Sequence, residues 1–414
     1  MKISIFSDLH LGYGYNTETE NDCFDNAEEA MDKALDSDLI IIPGDIFDTR
    51  MPRTDTWARA VHILAKPLFK ETTVKLAEAT KELKEISKRN LKHLPVIVLH
   101  GNHDRKLKGE VNPVEVLEHA GILIYLHLNT IVFEKNGVKV AIHGMSYVPD
   151  RYAKDIMDKW NPKPIEGCIN ILILHQNIEP YVFSPLDLPS LSTSNLPKGF
   201  DYIVNGHIHT RTVEKIDGTT LIIAGNTLVT QLEKNESQIE KGITQIDTDS
   251  EEKVKFIPLQ NNRKFIYEEI SLIDGQPSRE IIERKLHELV YTRNFSKSPI
   301  VKFKIIGKET EVLDQELRYL EKKYSDKAII KFSKELESPE MTKKIEFLRN
   351  LVEQKKSVEE IGLSILKKNL DELKFESDFD FDDIFSILSE GEVDKAFNIL
   401  LGEQKTLSSV LKLR

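Results

Sequence analysis

Five short apolar runs, Lys2 to Phe6, Leu39 to Ile42, Val96 to Leu99, Ile169 to Leu174 and Tyr202 to Val204, each end abruptly in a polar fragment, and this constrains the fold more than any other feature. The runs are rich in β-branched residues and do not alternate with polar ones, which is the pattern of strands covered on both faces. Cys23 to Leu35, between the first two runs, has amphipathic spacing that predicts a helix ending before Asp36-Ser37-Asp38. Alternation of strands and helices implies an α/β sandwich whose loops gather at one edge of the sheets. Loops at strand ends bring together side chains that are far apart in sequence.

The polar fragments are Ser7-Asp8-Leu9-His10, Gly44-Asp45-Ile46-Phe47-Asp48, Gly101-Asn102-His103-Asp104, Leu174-His175-Gln176 and Gly206-His207-Ile208-His209. Taken singly, an Asp-x-His or a Gly-Asp after a strand is an ordinary turn or cap. Taken together and in this order, they supply the carboxylate, amide and imidazole groups of a two-metal phosphoesterase site. An aspartate can bridge two divalent ions, and ions about 3.5–4 Å apart clamp a phosphodiester while activating water. Nitrogen and oxygen ligands without thiolate suit manganese, iron, zinc or nickel better than calcium.

These fragments resemble the calcineurin-like metallophosphoesterases, whose pattern is D-x-H, G-D-x-x-D, G-N-H-D/E, H, G-H-x-H. The resemblance implies a four-layer metallophosphoesterase sandwich, two mixed sheets flanked by helices. It also implies one ion held by Asp8, His10, Asp45 and His209, and a second held by Asp45, Asn102, His175 and His207, with Asp45 as the bridge. Within that superfamily, Gly44-Asp45-Ile46-Phe47-Asp48-Thr49 and Gly101-Asn102-His103-Asp104-Arg105 are most similar to the SbcD and meiotic recombination eleven group of double-strand-break repair nucleases. The likeness is detailed over residues 1–262 and extends to the rest by layout only.

That likeness implies further roles. His103, beside the second ion and not a ligand, would transfer a proton to the departing sugar oxygen, a task suited to an imidazole near neutrality. Asp104 would orient that imidazole by hydrogen bonding, and Asp48 would stand behind the ligands. Archaeal and eukaryotic members often carry histidine at the position of Asp48, whereas bacterial ones carry aspartate. Gly225-Asn226-Thr227 replaces a more usual Gly-Ser turn, and neither change removes a ligand. His62, His93, His119, His127 and His287 read as surface or half-buried residues, and His100 and His143 match no ligand position.

The net charge of −11 is unusual for a nucleic-acid enzyme. Phosphate contacts are local, however, and charges are screened beyond roughly 10 Å. Arg50, Arg53, Arg105, Lys106, Lys108 and Arg211 follow the motifs and are the candidate DNA contacts, with scattered surface charge as the alternative. The two cysteines, Cys23 and Cys168, form neither a disulfide framework nor a metal-binding spacing, so a reducing compartment is expected. No apolar run approaches the about 18 residues of a membrane span, and Met1-Lys2 leads directly into the first strand without a signal peptide. The expected location is the cytoplasm, beside the nucleoid.

Residues 54–92 are read as a helical insertion. Thr54-Asp55 caps a helix with Trp57, Val61 and Leu64 on one face, and a second helix carries Leu76, Leu83 and Ile86. In the resembled family, helices here pack two subunits into a homodimer; packing within one subunit explains the same stripe. Beyond Pro258 to Lys264, residues 263–336 read as a small α+β unit like the family's DNA-capping domain. Residues 337–414 read as helical, from Ser338-Pro339 through Ile345, Leu348, Leu351 and Val352, with Ser357 and Glu360 as a capping box. Two short helices follow, one with Ile384, Phe385 and Leu388, the other with Val393, Phe397, Leu400 and Leu401, separated by Gly391 and stopped by Gly402. In the resembled family such a segment docks on an SbcC or Rad-fifty type ABC ATPase, and packing back on this chain is the alternative.

The expected function is that of a DNA nuclease, with 3′–5′ exonuclease and single-strand endonuclease action, using two Mn²⁺ per subunit or Mg²⁺ or another divalent ion. The alternatives are a cyclic-nucleotide phosphodiesterase or phosphoprotein phosphatase on the same metal motifs, or a noncatalytic scaffold, whose signature would be lost ligands.

Overall fold

The computed structural model describes residues 1–106, 110–182, 190–271, 278–308 and 313–337, together with helical residues 362–367, 370, 381–389 and 397–399. A six-stranded sheet holds β1 (Lys2–Ile5), β2 (Leu39–Ile42), β4 (Val96–Val98), β5 (Ile124–Tyr125), β14 (Gly242–Asp247) and β15 (Val254–Pro258) in the order β15-β14-β1-β2-β4-β5. A seven-stranded sheet holds β3 (Lys75–Ala79), β6 (Asn129–Lys135), β7 (Val138–Met145), β8 (Cys168–Leu174), β11 (Tyr202–Asn205), β12 (Thr212–Ile216) and β13 (Thr219–Ile223) in the order β12-β13-β11-β8-β7-β6-β3. A small parallel pair, β9 (Ile178–Glu179) and β10 (Leu191–Ser192), lies between β8 and β11 in the chain.

Strand periodicity explains the layering. Successive side chains of a strand point to opposite faces. Ile3, Ile5, Leu39 and Ile41 of the first sheet share one buried cluster with Ile142, Ile171, Ile173 and Val204 of the second, the seam between the sheets. Ile40 and Ile42 face the other way, onto α1 (Asp22–Ala34), α2 (Thr54–Leu64) and α4 (Pro113–His119), through Phe24, Ala27, Met31, Ile63 and Leu117. Leu172, Leu174 and Ile203 meet Ala153 and Met157 of α5 (Asp150–Trp160). The result is the expected sandwich of helix, sheet, sheet and helix. Each fully buried Ile or Leu contributes roughly 1.5–3 kcal/mol, against roughly 0–1 kcal/mol for an exposed ion pair. These three apolar clusters, and not the charged surface, therefore hold the sandwich together.

The 54–92 insertion departs from the expected pair of helices. The first helix forms as α2, but Arg53 occupies the N-cap position without a side-chain cap and Thr54 is already helical. Its buried side is Thr56, Ala60, Ile63 and Leu64, with Trp57 partly buried against them, whereas Val61 faces solvent. The second helix does not exist. Lys75–Ala79 is a strand, paired antiparallel with β6 across a bulge between Leu76 and Glu78, and only α3 (Lys88–Lys92) is α-helical. Its Ala-Glu text favours helix weakly, but Val74, Leu76 and Ile86 bury against the seam when the segment lies along the open edge of the second sheet. Tertiary burial outweighs local propensity here.

After the sandwich, β16 (Phe265–Ser271), β17 (Ile300–Lys308) and β18 (Ile329–Glu337) form a separate three-stranded sheet, accompanied by α6 (Ser278–Tyr291) and α7 (Leu313–Lys323). Met1–Ile270, Pro277–Lys304 and Asp314–Ser333 form one compact unit. Arg263 stitches it at the change of sheet, donating to Asp22 Oδ2 at 2.5 Å, to the Ser298 carbonyl at 2.5 Å and to the Glu18 carbonyl at 3.0 Å. The second unit comprises Ser271–Gln276, Ile305–Leu313 and Lys334–Arg414. In it, Ile384 and Ile387 of the helix Phe381–Ser389 bury against Ile399, while Leu388, expected on the same face as Ile384, is exposed because Ile387 takes that place. The expectations at Ser338-Pro339, Ile345, Leu348, Leu351, Val352, Ser357, Glu360, Gly391, Val393, Leu400, Leu401 and Gly402 lie outside the described residues. Among the described residues, no helix is long and apolar enough to cross a membrane.

Candidate metal centre

β1, β2 and β4 of one sheet and β8 and β11 of the other run out at the same end, and their loops deliver Asp8 and His10, Asp45, Asn102, His175, and His207 and His209. Four of these residues have left-handed backbone: Asp8 at φ 53°, His10 at φ 43°, Asp45 at φ 49° and His207 at φ 71°. Such conformations cost of order 1–3 kcal/mol each. They persist because the surrounding glycines leave room for the turned side chains. A Cβ on Gly101 would lie 2.0 Å from Asp45 Oδ1, and one on Gly206 would lie 2.3 Å from the Pro43 carbonyl.

The side chains meet at two points. On one side, His10 Nε2 and His209 Nε2 are 3.2 Å apart, and His209 Nε2 is 3.7 Å from Asp8 Oδ1. On the other, His175 Nε2 lies 3.3 Å from Asp45 Oδ2 and 3.2 Å from Asn102 Oδ1, with His207 Nδ1 at 2.9 Å from the same amide oxygen. Asp45 stands between them, its Oδ2 also 4.0 Å from His10 Nε2. Asp8, His10 and His209 form one metal-competent group, and Asp45, His175 and His207 another.

The donor chemistry of this arrangement calls for a cation. His175 Nδ1 must donate to the Pro43 carbonyl at 2.6 Å, because that oxygen has no proton to give. In the neutral ring, Nε2 is then a bare acceptor aimed at two further acceptors, Asp45 Oδ2 and Asn102 Oδ1. Only a proton or a metal ion relieves that clash. Without metal, the Asp45 carboxylate and its hydrogen bond outweigh burial and push His175 up to about 9. Burial opposes the charge on Asp45, but the His175 and His10 imidazoles prevail and hold its carboxyl well below the usual range. Burial pushes the Asp8 carboxyl up to about 6, with His175 opposing and Asp45 reinforcing. His207 falls to about 3, and His209 also falls well below its ordinary value, chiefly through burial and neighbouring imidazoles. Both shifts favour the neutral ring, the form in which an imidazole binds a metal ion. The residues fit a pair of divalent cations.

His103 and Asp104 take unexpected partners. His103 donates its backbone N–H to Asp45 Oδ1 at 2.9 Å, and its ring packs edge-on to His10 with centroids 4.7 Å apart. The ring Nδ1 bonds to the Asp48 carbonyl at 2.8 Å. Asp104, expected to orient that ring, instead accepts the backbone N–H groups of Ile46, Phe47 and Gly101 at 3.0, 2.9 and 3.2 Å. It braces the loop carrying Asp45, because its side chain points into the loop junction and not toward the pocket. Burial and the charge of Asp45 raise its carboxyl to about 6. The Asp48 carboxylate lies 3.2 Å from His10 Nδ1.

The six basic candidates separate. Arg50 is exposed, and Arg50 and Arg105 lie close enough to the Tyr147 phenol to act on it electrostatically. Arg53 pairs with Asp55 at 3.2 Å and stacks on Tyr15, and Lys106 pairs with Glu115 at 3.5 Å. Arg211 is half-buried over the Phe256 ring and reaches Thr244 Oγ1 at 3.4 Å. Lys108 lies outside the described residues. His100 and His143, passed over in the sequence, bond to Tyr125 and to Thr130 and Asn170, away from the converging ligands.

Two neighbours were not singled out by sequence. Tyr147 stands beside His207 with ring centroids 5.9 Å apart, and its place just past the end of β7, next to β8, was the available signal. Thr230 bonds to His209 Nδ1 at 2.9 Å and belongs to no motif.

A two-sheet α/β sandwich that gathers Asp, Asn and His side chains at the carboxyl ends of its strands defines a metallophosphoesterase. The chain belongs to the calcineurin-like phosphoesterase family, whose model matches residues 1–211. It is 28% identical over 323 residues to the DNA double-strand break repair protein Mre11 of Sulfolobus acidocaldarius, covering 74% of this chain and 75% of that protein. It is 29% identical over 318 residues to the protein of the same name from Thermoplasma acidophilum, covering 73% and 76%. The Methanopyrus kandleri protein of that name is 29% identical over 238 residues, 53% of this chain but 47% of its own length.

Proposed function

We propose that this chain is a divalent-metal-dependent DNA nuclease that processes double-strand breaks. The observation that carries the reading is the convergence of His175 Nε2, Asp45 Oδ2 and Asn102 Oδ1 as mutually facing acceptors, beside the second group of Asp8, His10 and His209. Similarity to the Mre11 proteins over about three quarters of the chain supports DNA as the substrate.

Asp8, His10, Asp45 and His209 would hold one ion and Asp45, Asn102, His175 and His207 the other, two Mn²⁺ per subunit, with Mg²⁺ as the substitute. Bound there, such ions supply Lewis-acid activation of water and neutralisation of phosphate charge. His103 supplies the proton for the leaving sugar oxygen. The Asp48 carbonyl accepts from Nδ1, so Nε2 is the atom free to exchange a proton with substrate. Asp104 and Asp48 keep the surrounding loop and His10 in place. Arg50 and Arg105, close enough to Tyr147 to act on it electrostatically, are the basic candidates assigned to the phosphate backbone in this reading.

The division into a nuclease domain (1–262), a DNA-capping domain (263–336) and a region for an SbcC or Rad-fifty type ATPase (337–414) belongs to the same reading, as do a homodimer and a cytoplasmic, nucleoid-associated location. The test is hydrolysis with Mn²⁺ and with Mg²⁺ of blunt, nicked and hairpin DNA, run beside cyclic nucleotides and phosphopeptides. Manganese-dependent cutting of DNA ends and single-stranded regions is expected. Turnover of cyclic nucleotides or phosphopeptides alone would replace the nuclease reading with another phosphoesterase. A purified protein that binds no divalent ion would make it a scaffold.

A further inference from the structure

On the flank of the metal centre where His209 stands, the surface opens into a cleft of about 500 Å³. That volume lies in the range of small-ligand sites and is ample for one nucleotide. The cleft is lined by Ile208, His209 and Thr210 of the loop after β11, by Tyr181 and Val182 beyond β9, and by the loop that runs from Gln231 to Ile239. His209 therefore belongs both to the metal-competent group with Asp8 and His10 and to the wall of the cleft. The Tyr181 ring packs on the apolar cluster that contains Ile178 and Ile208, and its hydroxyl donates to Glu214 Oε2 at 2.5 Å, so the ring is held from two sides.

The charges of the wall narrow what can occupy it. Glu233 faces Lys302 at 3.6 Å, Lys234 faces Glu269 at 3.1 Å, and buried Glu236 faces Lys241 at 3.1 Å. Each carboxylate is thus met by an ammonium, and Glu214 beside Tyr181 adds a further acid. A second phosphate would find no net positive charge there. What remains is neutral: the Tyr181 ring, the aliphatic side chains of Val182 and Ile239, the Thr210 hydroxyl and the amides of Gln231 and Asn235. A flat, uncharged ring edged with donors and acceptors matches that set, because an aromatic side chain stacks on the face of any base and an amide offers both a donor and an acceptor to its edge. A nucleotide phosphate at the Asp8, His10 and His209 group has its nucleoside attached, and His209 is the residue the two sites share.

We propose that this cleft is a nucleobase site: it receives the base of the nucleotide whose phosphate lies at the metal centre, with Tyr181 as the stacking platform and Gln231 and Asn235 at the base edge. The proposal rests on the nuclease reading above and adds that the chain grips the base as well as the phosphate. The test uses the full chain with Mn²⁺ and two probes, 2-aminopurine 2′-deoxyriboside 5′-monophosphate and the baseless 2-deoxyribose 5-phosphate. Calorimetry gives the affinity for each, and the fluorescence of 2-aminopurine reports whether the base is stacked. The wild type should bind the first probe about tenfold more tightly than the second, a usual worth for one base on an aromatic ring, and quench its fluorescence. Tyr181→Leu should lose both the affinity ratio and the quenching, whereas Tyr181→Phe, which keeps the ring, should retain both. Asn235→Ala should lower the ratio and leave the quenching. Equal affinity of the wild type for the two probes, or an undiminished ratio in Tyr181→Leu, would overturn the proposal. A wild type that cuts DNA but ignores the base would sink this site and leave the nuclease reading standing. One that quenches the probe through Tyr181 but cuts no DNA would do the reverse.

Discussion

His103 is oriented by the main chain of Asp48 and not by a side chain: its Nδ1 meets the Asp48 carbonyl at 2.8 Å. Replacing His103 should therefore separate proton transfer from metal binding. We expect His103→Asn to keep its Mn²⁺ stoichiometry and to lose about 10²–10⁴-fold in DNA hydrolysis, the usual worth of a general acid. Asp48→Asn leaves the carbonyl in place and should lose far less. Single-turnover cleavage with calorimetry on the same samples checks this, and normal cleavage by His103→Asn would remove the residue from the mechanism.

Gly101→Ala should cost the metal centre without adding any polar group. The new Cβ would fall 2.0 Å from Asp45 Oδ1, so either the Asp45 carboxylate or the Asn102 loop must move. The expected outcome is loss of tight Mn²⁺ binding with circular dichroism unchanged. Wild-type binding would show that Asp45 is not held where the structure places it.

The buried ion pair of Lys81 and Glu118, 3.0 Å apart, ties the segment after β3 to α4, with Lys81 also donating to the Tyr125 carbonyl at 2.9 Å. Lys81→Met leaves Glu118 buried and unpaired, and should destabilise the fold by about 3–5 kcal/mol. Lys81→Met combined with Glu118→Gln should recover much of that loss. Urea denaturation of the three proteins is the measurement, and additive losses would exclude coupling.

His127 predicts an acid limit to stability. Its Nδ1 accepts the Ser146 backbone N–H at 3.2 Å, which requires the neutral ring, and burial pushes the imidazole down to about 4. As pH falls below 6.5, the unfolded chain takes up this proton before the folded one does. Stability from this group is therefore complete above 6.5 and lost progressively toward about pH 4. Melting temperature against pH should show that slope in the wild type and a shallower one in His127→Asn. Identical slopes would refute it.

Ending the chain after Glu372 should abolish co-purification with an SbcC or Rad-fifty type ATPase while sparing manganese-dependent nuclease activity. Retained association would assign the docking surface elsewhere.

The strands that carry the centre were legible in sequence because two-sided burial makes each of them a continuous β-branched run, and the candidate ligands because each sits within a few residues of such a run. What was not legible depended on distant contacts. Asp104 looked like a partner for its neighbour His103, but the orphan N–H groups of the loop beginning at Ile46 claimed it. Thr230 meets His209 only because the fold brings the loop after β11 and the turn after β13 side by side. Lys75–Ala79 read as helix because local composition says nothing about a vacant sheet edge.

That edge strand has a consequence of its own. β3 closes one flank of the seven-stranded sheet with Lys75 and Glu78 outward and a bulge breaking its ladder. A second molecule trying to extend the sheet there would meet charge and mismatched spacing, so this border discourages runaway association into fibrils.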